Sequence, residues 1–351
     1  MYAYKHIKYK NKYAQLKFDT DNEFFDKILE YIKIKDRYVI NIVAMGEATH
    51  GQERITKLRL RVFKDLAVKY NFSVFVLEEN YGICELINDW IHGESKYDLD
   101  YLMFQMMWPW RSLRMRKMIK WMKRYNEKND GILEFRGIDV QTMSEDYIVK
   151  NDTVTYVEKI INKLNLAYES STDEMAGFEI RDKAMFKMFM KIYDANKKYF
   201  FYAHQAHLAK ISEFGNYKNL GSYLFTKFNS HYLVIGNSFN GGSYLGINFK
   251  NKRMEIATIV GDIDFSKIKI WNETNTDVSF TIVDPKYKLK NGITMSDSKN
   301  FNKKYIISTG AAADKNDPYY YLSMYQINGR YDCVIQIPNE TALVLLRRKN
   351  N

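Results

Sequence analysis

The 351-residue chain is short of the residue types on which several common chemistries depend. It contains two cysteines, Cys84 and Cys333, and six histidines. Two cysteines are too few for a disulfide framework or a cysteine metal site, which fits a reducing compartment. No stretch approaches the roughly 18 apolar residues needed to span a bilayer. The stretch from Met1 to Asp19 is polar, rich in Lys and Tyr, and has no apolar signal core. The expectation is a soluble, cytoplasmic protein with no membrane partner. There is no G-x-S-x-G elbow and no glycine-rich nucleotide loop of either standard type. Cys84 lies in an apolar helical run with no histidine near it in sequence. Serine and cysteine nucleophiles are therefore not expected. Repeats, low-complexity linkers and composition shifts are absent too, so residues 1–351 read as one domain.

What is present is globular: 46% hydrophobic and 27% charged residues, enough to bury a full core. The net charge is +11. Lysine is spread along the whole chain, densest from Arg111 to Arg124, and no nucleic-acid-binding motif accompanies it, so a nucleic-acid partner is not expected.

The organising stretch is Val43-Ala44-Met45-Gly46-Glu47-Ala48-Thr49-His50-Gly51-Gln52. The apolar run Tyr38–Met45 reads as a buried strand feeding an amphipathic helix. Thr49 and Gln52 have capping-box spacing, which predicts a helix starting at Thr49 with His50 in its first turn. There the helix dipole would keep the ring neutral, as a general base requires. The helix carries Ile55, Leu58, Val62, Phe63 and Leu66 as its apolar stripe. Arg59 falls inside that stripe, and a buried arginine needs a carboxylate partner.

Further along, residues 22–36 read as a helix and Ser73–Leu77 as a strand ending at Glu78-Glu79. Helices follow through Trp90 and over Leu102–Asn126, broken at Trp108-Pro109-Trp110. Ile132–Ile138 is a strand ending at Asp139. A mostly helical stretch of about 144–197, interrupted near 168–177, leads to a strand, Tyr199–Ala203, which ends at His204. Other strands are read at Tyr232–Ile235, Ile256–Val260, Phe280–Val283 and Cys333–Ile337, and Asn240-Gly241-Gly242-Ser243 reads as a loop. Alternating strands and helices indicate an α/β fold with a largely parallel central sheet flanked by helices. In such sheets ligands bind beyond the carboxyl ends of the strands. Four consecutive strands end in Glu47/His50, Glu78, Asp139 and His204/His207, which would share one crevice.

His50 is the candidate general base, and Glu47 orients an active-site water or simply starts the helix. Glu78 is the natural partner of Arg59 or of His50, and strand register decides whether Glu78 or Glu79 faces the crevice. His204 and His207, three apart at a helix start, would share a face. They could ligate zinc with a carboxylate, protonate a leaving group, or hydrogen-bond an oxyanion.

These residues resemble the erythromycin esterase family, which includes proteins of succinoglycan biosynthesis. The likeness rests on Gly46-Glu47-Ala48-Thr49-His50-Gly51, Arg59, Glu78, Trp108-Pro109-Trp110, Trp121 to Asn126, Gly137-Ile138-Asp139, Arg181-Asp182 with Met185, His204-Gln205-Ala206-His207 and Tyr331 to Ile335. It implies an α/β hydrolase-like enzyme that opens a macrolide lactone without a metal, under a helical lid of about 141–197. Carried over, His50 is the water-activating base and Glu47, Arg59 and Glu78 form its charged network. His204 and His207 are the histidine pair across the cleft, and Trp108, Trp110, Asp139 and Arg181 bind substrate. The expected reaction is hydrolysis of a small-molecule ester or lactone, with no cofactor. One alternative is a divalent metal held by Glu47, His50, Glu78, His204 and His207. The other is a binding or group-transfer protein for an acidic or sugar ligand.

Overall fold

A computed structural model describes residues 40–141, 174–212, 216–263, 305–327, 329–337 and 339–347, with short pieces at 163, 166, 267, 269–270, 287–288 and 294–297. The helix read at 22–36, the strand at Phe280–Val283 and most of the lid segment fall outside the described residues.

Strand β1, Ile42–Glu47, is buried at every position. Ile42 and Ala44 enter the core on one side of the sheet, while Val43 and Met45 enter the core on the other. That two-sided burial explains why the run is continuously apolar, as strands covered on both faces are. The same holds for β2 (Val74–Asn80) and β4 (Tyr199–His204). With β3 (Glu134–Asp139), β5 (Tyr232–Phe239) and β13 (Cys333–Ile337) they form six parallel strands in the order β3-β2-β4-β1-β5-β13. β10 (Thr294–Asp297) and β9 (Tyr287–Lys288) extend that edge antiparallel. The fold is α/β with a largely parallel central sheet.

Helices α1 (Glu53–Tyr70), α2 (Tyr81–His92), α3 (Leu99–Gln105) and α4 (Leu113–Asn126) supply one core, with a 3₁₀ turn at Trp108–Trp110. Helices α5 (Glu174–Ile192) and α7 (Leu220–Phe228) pack on the opposite face. A single short turn of helix, α6 (Gln205–Leu208), follows β4 directly. The described part of the expected lid is thus a crossover helix. Ala184, Met185, Met188 and Phe189 of α5 are buried in the core, while its earlier turns reach the strand tips.

The strand read at Ile256–Val260 is β7, Arg253–Ile259, and it lies outside the central sheet. It pairs antiparallel with β6 (Gly242–Asn248) in a two-stranded ribbon. Part of the loop read at Asn240 to Ser243 therefore belongs to a strand. Its approach is made by Gly241 and Gly242, both at positive φ. A third sheet holds β11 (Tyr305–Ser308), β12 (Ser323–Gln326) and β8 (Lys269–Ile270).

The start of α1 differs from the capping-box reading. The helix begins at Glu53, four residues after Thr49, and its N-cap Gln52 makes no side-chain cap bond. Distant residues hold the start instead. Gly51 accepts from Leu245 N–H at 3.0 Å and Leu343 N–H at 2.9 Å. The Glu340 carboxylate accepts from Arg54 N–H at 2.6 Å and Ile55 N–H at 3.2 Å, supplying the cap from the C-terminal segment. Thr49 instead donates through Oγ1 to the Gly310 carbonyl at 2.7 Å.

Candidate active site

The tips of β1 and β4 are in register, with Glu47 opposite His204. β2 ends beside β4, and β3 beside β2, so the four polar strand endings meet at one edge of the sheet. They open into a cavity of about 460 Å³ whose wall includes His50, Glu78, Arg181, His204 and His207. Trp108, Trp110 and Phe178 contribute apolar surface, and residues 308–311 close another side.

His50 lies in the turn before α1 rather than in its first turn, so the helix dipole is not what fixes its state. The ring is fixed by Glu47: Nδ1 stands 2.6 Å from Oε1 of that carboxylate. In the neutral ring Nδ1–H donates to Glu47 and Nε2 is left as the acceptor. The ring meets Trp108 and Trp110 edge-on, with centroids 6.4 and 5.6 Å away. Its side chain keeps 13% of its surface open, whereas Glu47 keeps none, so only the histidine of the pair can meet a water.

Arg59 pairs with Glu47, not with Glu78. Its Nη2 donates to Glu47 Oε2, and its guanidinium lies over the Tyr202 ring, 3.5 Å from the centroid. The reason is topological. β4 lies between β1 and β2, so the helix following β1 reaches the tip of β1 and stops short of β2. Both charges are fully buried, and each compensates the other.

Glu78, rather than Glu79, faces the cavity. Its Oε1 accepts from Arg181 Nη2 at 2.8 Å and lies 3.1 Å from His207 Nε2, while Oε2 accepts from His204 N–H at 2.7 Å. Burial by itself would raise this carboxyl, but His207, Arg181 and His50 hold it well below the usual range. Glu79 turns the other way and accepts from Asn80 N–H at 2.7 Å and Met107 N–H at 2.6 Å. Burial pushes Glu79 up to about 8. Asp139 grips Arg181 through two bonds, to Nε at 3.1 Å and Nη2 at 2.6 Å.

The two later histidines are in opposite states. His204 is pushed down to about 3, by burial first and then by His50 and His207. Its Nδ1 accepts from Ala206 N–H at 3.4 Å. The proton therefore sits on Nε2, which donates to Ser308 Oγ at 2.8 Å and approaches the Ala48 carbonyl at 3.3 Å. Burial also acts to lower His207, yet Asp182 and Glu78 override it and raise the ring to about 10. Its Nδ1 lies 2.7 Å from Asp182 Oδ1, and its face stacks on Phe178 with centroids 4.7 Å apart. The ring centroids of His50 and His204 are 5.5 Å apart, and those of His204 and His207 are 6.3 Å apart.

All ten residues singled out in the sequence therefore gather at one place, seven around the cavity, Asp139 behind Arg181, and Glu47 and Arg59 behind His50. Trp110 is buried, with its indole N–H on the Glu78 carbonyl at 2.8 Å, so it is as much a support as a wall. Of the five side chains named as an alternative metal set, Glu47, His50, Glu78 and His207 are bonded among themselves and to Asp182, Arg181 and Arg59, and the His204 ring is bonded to Ser308, Ala48 and Ala206. Among the described residues no group of three or more His, Cys, Asp or Glu is arranged to hold a metal. Sequence reasoning missed Ser308 and the turn after it, which no local pattern marks. Asp182 appeared there only as a neighbour of Arg181, although an acidic residue between the apolar positions of a helix was a usable signal.

Residues 68–169 and 150–339 match the family model described as erythromycin esterase. The chain belongs to the erythromycin esterase family. Within that family, the erythromycin esterase type II of Escherichia coli is 23% identical over 146 residues, which are 41% of this chain and 34% of that protein. That match spans about a third of the relative's length. Three solved structures share the erythromycin esterase-like fold. One is a Bacillus cereus protein, with 16% identity, a TM-score of 0.63, and coverage of 92% of this chain and 94% of the other. Another is a succinoglycan biosynthesis protein, with 16% identity, a TM-score of 0.65, and coverage of 92% and 93%. The third is an erythromycin esterase variant in its open conformation, with 11% identity, a TM-score of 0.54, and coverage of 90% and 94%. Among the described residues of this family member, no helix is long and apolar enough to cross a membrane.

Proposed function

We propose that the chain hydrolyses a carboxylic ester or lactone with water activated by His50. The observation that carries this reading is the 2.6 Å contact between Glu47 and His50 Nδ1, with the ring in the cavity wall opposite His204. Glu47 fixes the tautomer that leaves Nε2 free to take a proton from water as it attacks the carbonyl carbon. Arg59 holds the Glu47 carboxylate in place behind the ring. As the carbonyl oxygen gains negative charge, Arg181 and His207 supply positive charge from the far side of the cavity. When the carbon–oxygen bond breaks, the departing alkoxide takes the proton that His50 drew from the water. His204, neutral at working pH, is held by Ser308 and Ala206 and serves as a fixed dipole rather than an acid.

Family membership supports a hydrolase acting on a small molecule. The aromatic surface of Trp108 and Phe178 suits an apolar or ring-bearing substrate, and a macrolide lactone is one candidate. The test is incubation of the purified chain with a panel of acyl esters, sugar esters and macrolide lactones, read by mass spectrometry. The reading expects at least one substrate to gain the mass of one water or to split into acid and alcohol. A panel left wholly intact, while ligands bind with steep salt dependence, would favour a binding protein instead.

A further inference from the structure

We propose that Asp182 is a positioning residue that, together with Glu78, holds His207 as an imidazolium in the cavity wall. The two carboxylates lie at the two ends of one ring. Asp182 Oδ1 is 2.7 Å from Nδ1, and Glu78 Oε1 is 3.1 Å from Nε2. A carboxylate at each nitrogen favours the ring that carries both protons. Asp182 is itself held: its other oxygen accepts from Leu220 N–H at 2.7 Å, at the start of α7. With one oxygen on a helix N-terminus and the other on the ring, the carboxylate cannot rotate away. Phe178 fixes the ring plane by stacking on its face.

A competing arrangement exists at the same nitrogen. Arg181 Nη1 lies 3.3 Å from His207 Nε2, and a neutral ring could accept there. Three observations favour the cation. The Glu78 oxygen is the nearer atom, Arg181 already donates to Glu78 and Asp139, and His207 is 4% exposed between two carboxylates. The charged groups around the ring come from every neighbouring strand tip. They are Glu78 on β2, Arg181 and Asp182 on α5, neutral His204 at the end of β4, and Asp139 on β3 acting through Arg181. His50 is placed beyond His204. Three carboxylates against one guanidinium leave room for a second positive charge, and His207 is where it sits.

The inference assigns Asp182 a task that neither Glu78 nor Arg181 performs alone. It keeps the His207 ring charged above neutral pH, so that the alkaline limit of the reaction is set by His207. That catalytic consequence rests on the hydrolase reading, but the protonation state does not. The experiment is an NMR titration of the full chain with isotope-labelled histidine, the His207 signal being assigned by its loss in His207→Gln. Both ring nitrogens are expected to stay protonated from about pH 6 to about pH 9, a range in which an ordinary histidine loses its charge. A neutral His207 at pH 7, or a midpoint between about pH 6 and 8, would overturn the proposal whatever the turnover. In Asp182→Asn the midpoint should fall toward neutrality, and kcat should fall about tenfold for each pH unit above it. An unchanged His207 midpoint in a folded Asp182→Asn protein would also overturn the proposal. If that variant does not fold, the wild-type titration still decides. If no ester is turned over but His207 stays charged, the hydrolase reading fails and this one stands.

Discussion

Replacing Arg59 by methionine should separate folding from catalysis at this site. Arg59 and Glu47 are both fully buried, and each is the other's charge partner. Methionine fills the volume and can rest on Tyr202, where the guanidinium now lies 3.5 Å from the ring centroid. Sulfur–aromatic contact replaces part of a desolvated cation–π contact worth about 2 kcal/mol. The charge is not replaced. Glu47 is left as a buried carboxylate with His50 as its one remaining partner, and a broken buried pair costs about 3–5 kcal/mol. Against a total domain stability of about 5–15 kcal/mol, Arg59→Met should be folded but weak. Urea unfolding at low temperature measures the loss. Adding Glu47→Leu removes the stranded charge, so the double variant should recover most of the stability. It should not recover activity, because His50 then has no carboxylate on Nδ1, and the double variant should lose about a hundredfold in kcat. A loss below about 1 kcal/mol for Arg59→Met would refute the argument that this pair is a compensated buried charge. So would wild-type turnover by the double variant.

Gly51→Ala should destabilise the chain and lower activity together, measured by melting and ester hydrolysis. A Cβ there would stand 1.6 Å from the Leu245 carbonyl oxygen, and that backbone cannot move without displacing the turn that holds His50. Glu79 gives a pH-dependent stability term. Burial raises it from 4.5 to about 8, so its contribution is full below pH 4.5 and is lost as pH rises through about 8. Glu79→Gln should flatten that fall in stability without shifting the pH dependence of His207. The raised His207 has the same sign in a different window. Its contribution is full below pH 6.5 and is lost as pH rises through about 10, and His207→Gln should remove that alkaline loss in urea unfolding. A chelator should leave turnover unchanged, since each candidate donor already has a protein hydrogen-bond or ion-pair partner, and restoration of lost activity by a divalent ion would contradict this.

Much of the site was legible because parallel sheets put their strand tips on one edge. Buried runs such as Ile42–Met45 and Phe75–Leu77 announce strands, and the first polar residue after each marks the edge. That reasoning brought Glu47, Glu78, Asp139 and His204 together across a wide span of sequence. It could not choose partners, because strand order is not sequence order. Once β4 is inserted between β1 and β2, Arg59 belongs to Glu47, and Glu78 is left to Arg181 and His207. Nor could it place the start of α1. Thr49 and Gln52 have the spacing of a local cap, yet backbone bonds from Leu245 and Leu343 and the Glu340 carboxylate outweigh it. Those contacts are tertiary, and local spacing carries no trace of them. Ser308 was invisible for the same reason, since its role follows from the 2.8 Å contact with His204 and not from its neighbours in the chain.

The account stands or falls on whether the imidazole of His50 draws the proton from the attacking water. Steady-state kinetics of His50→Asn on the best ester of the panel, with melting as a check on folding, tests this most directly. The predicted result is a folded protein whose kcat falls by about a hundredfold or more with KM little changed. A folded His50→Asn protein that turns the ester over at the wild-type rate would contradict it.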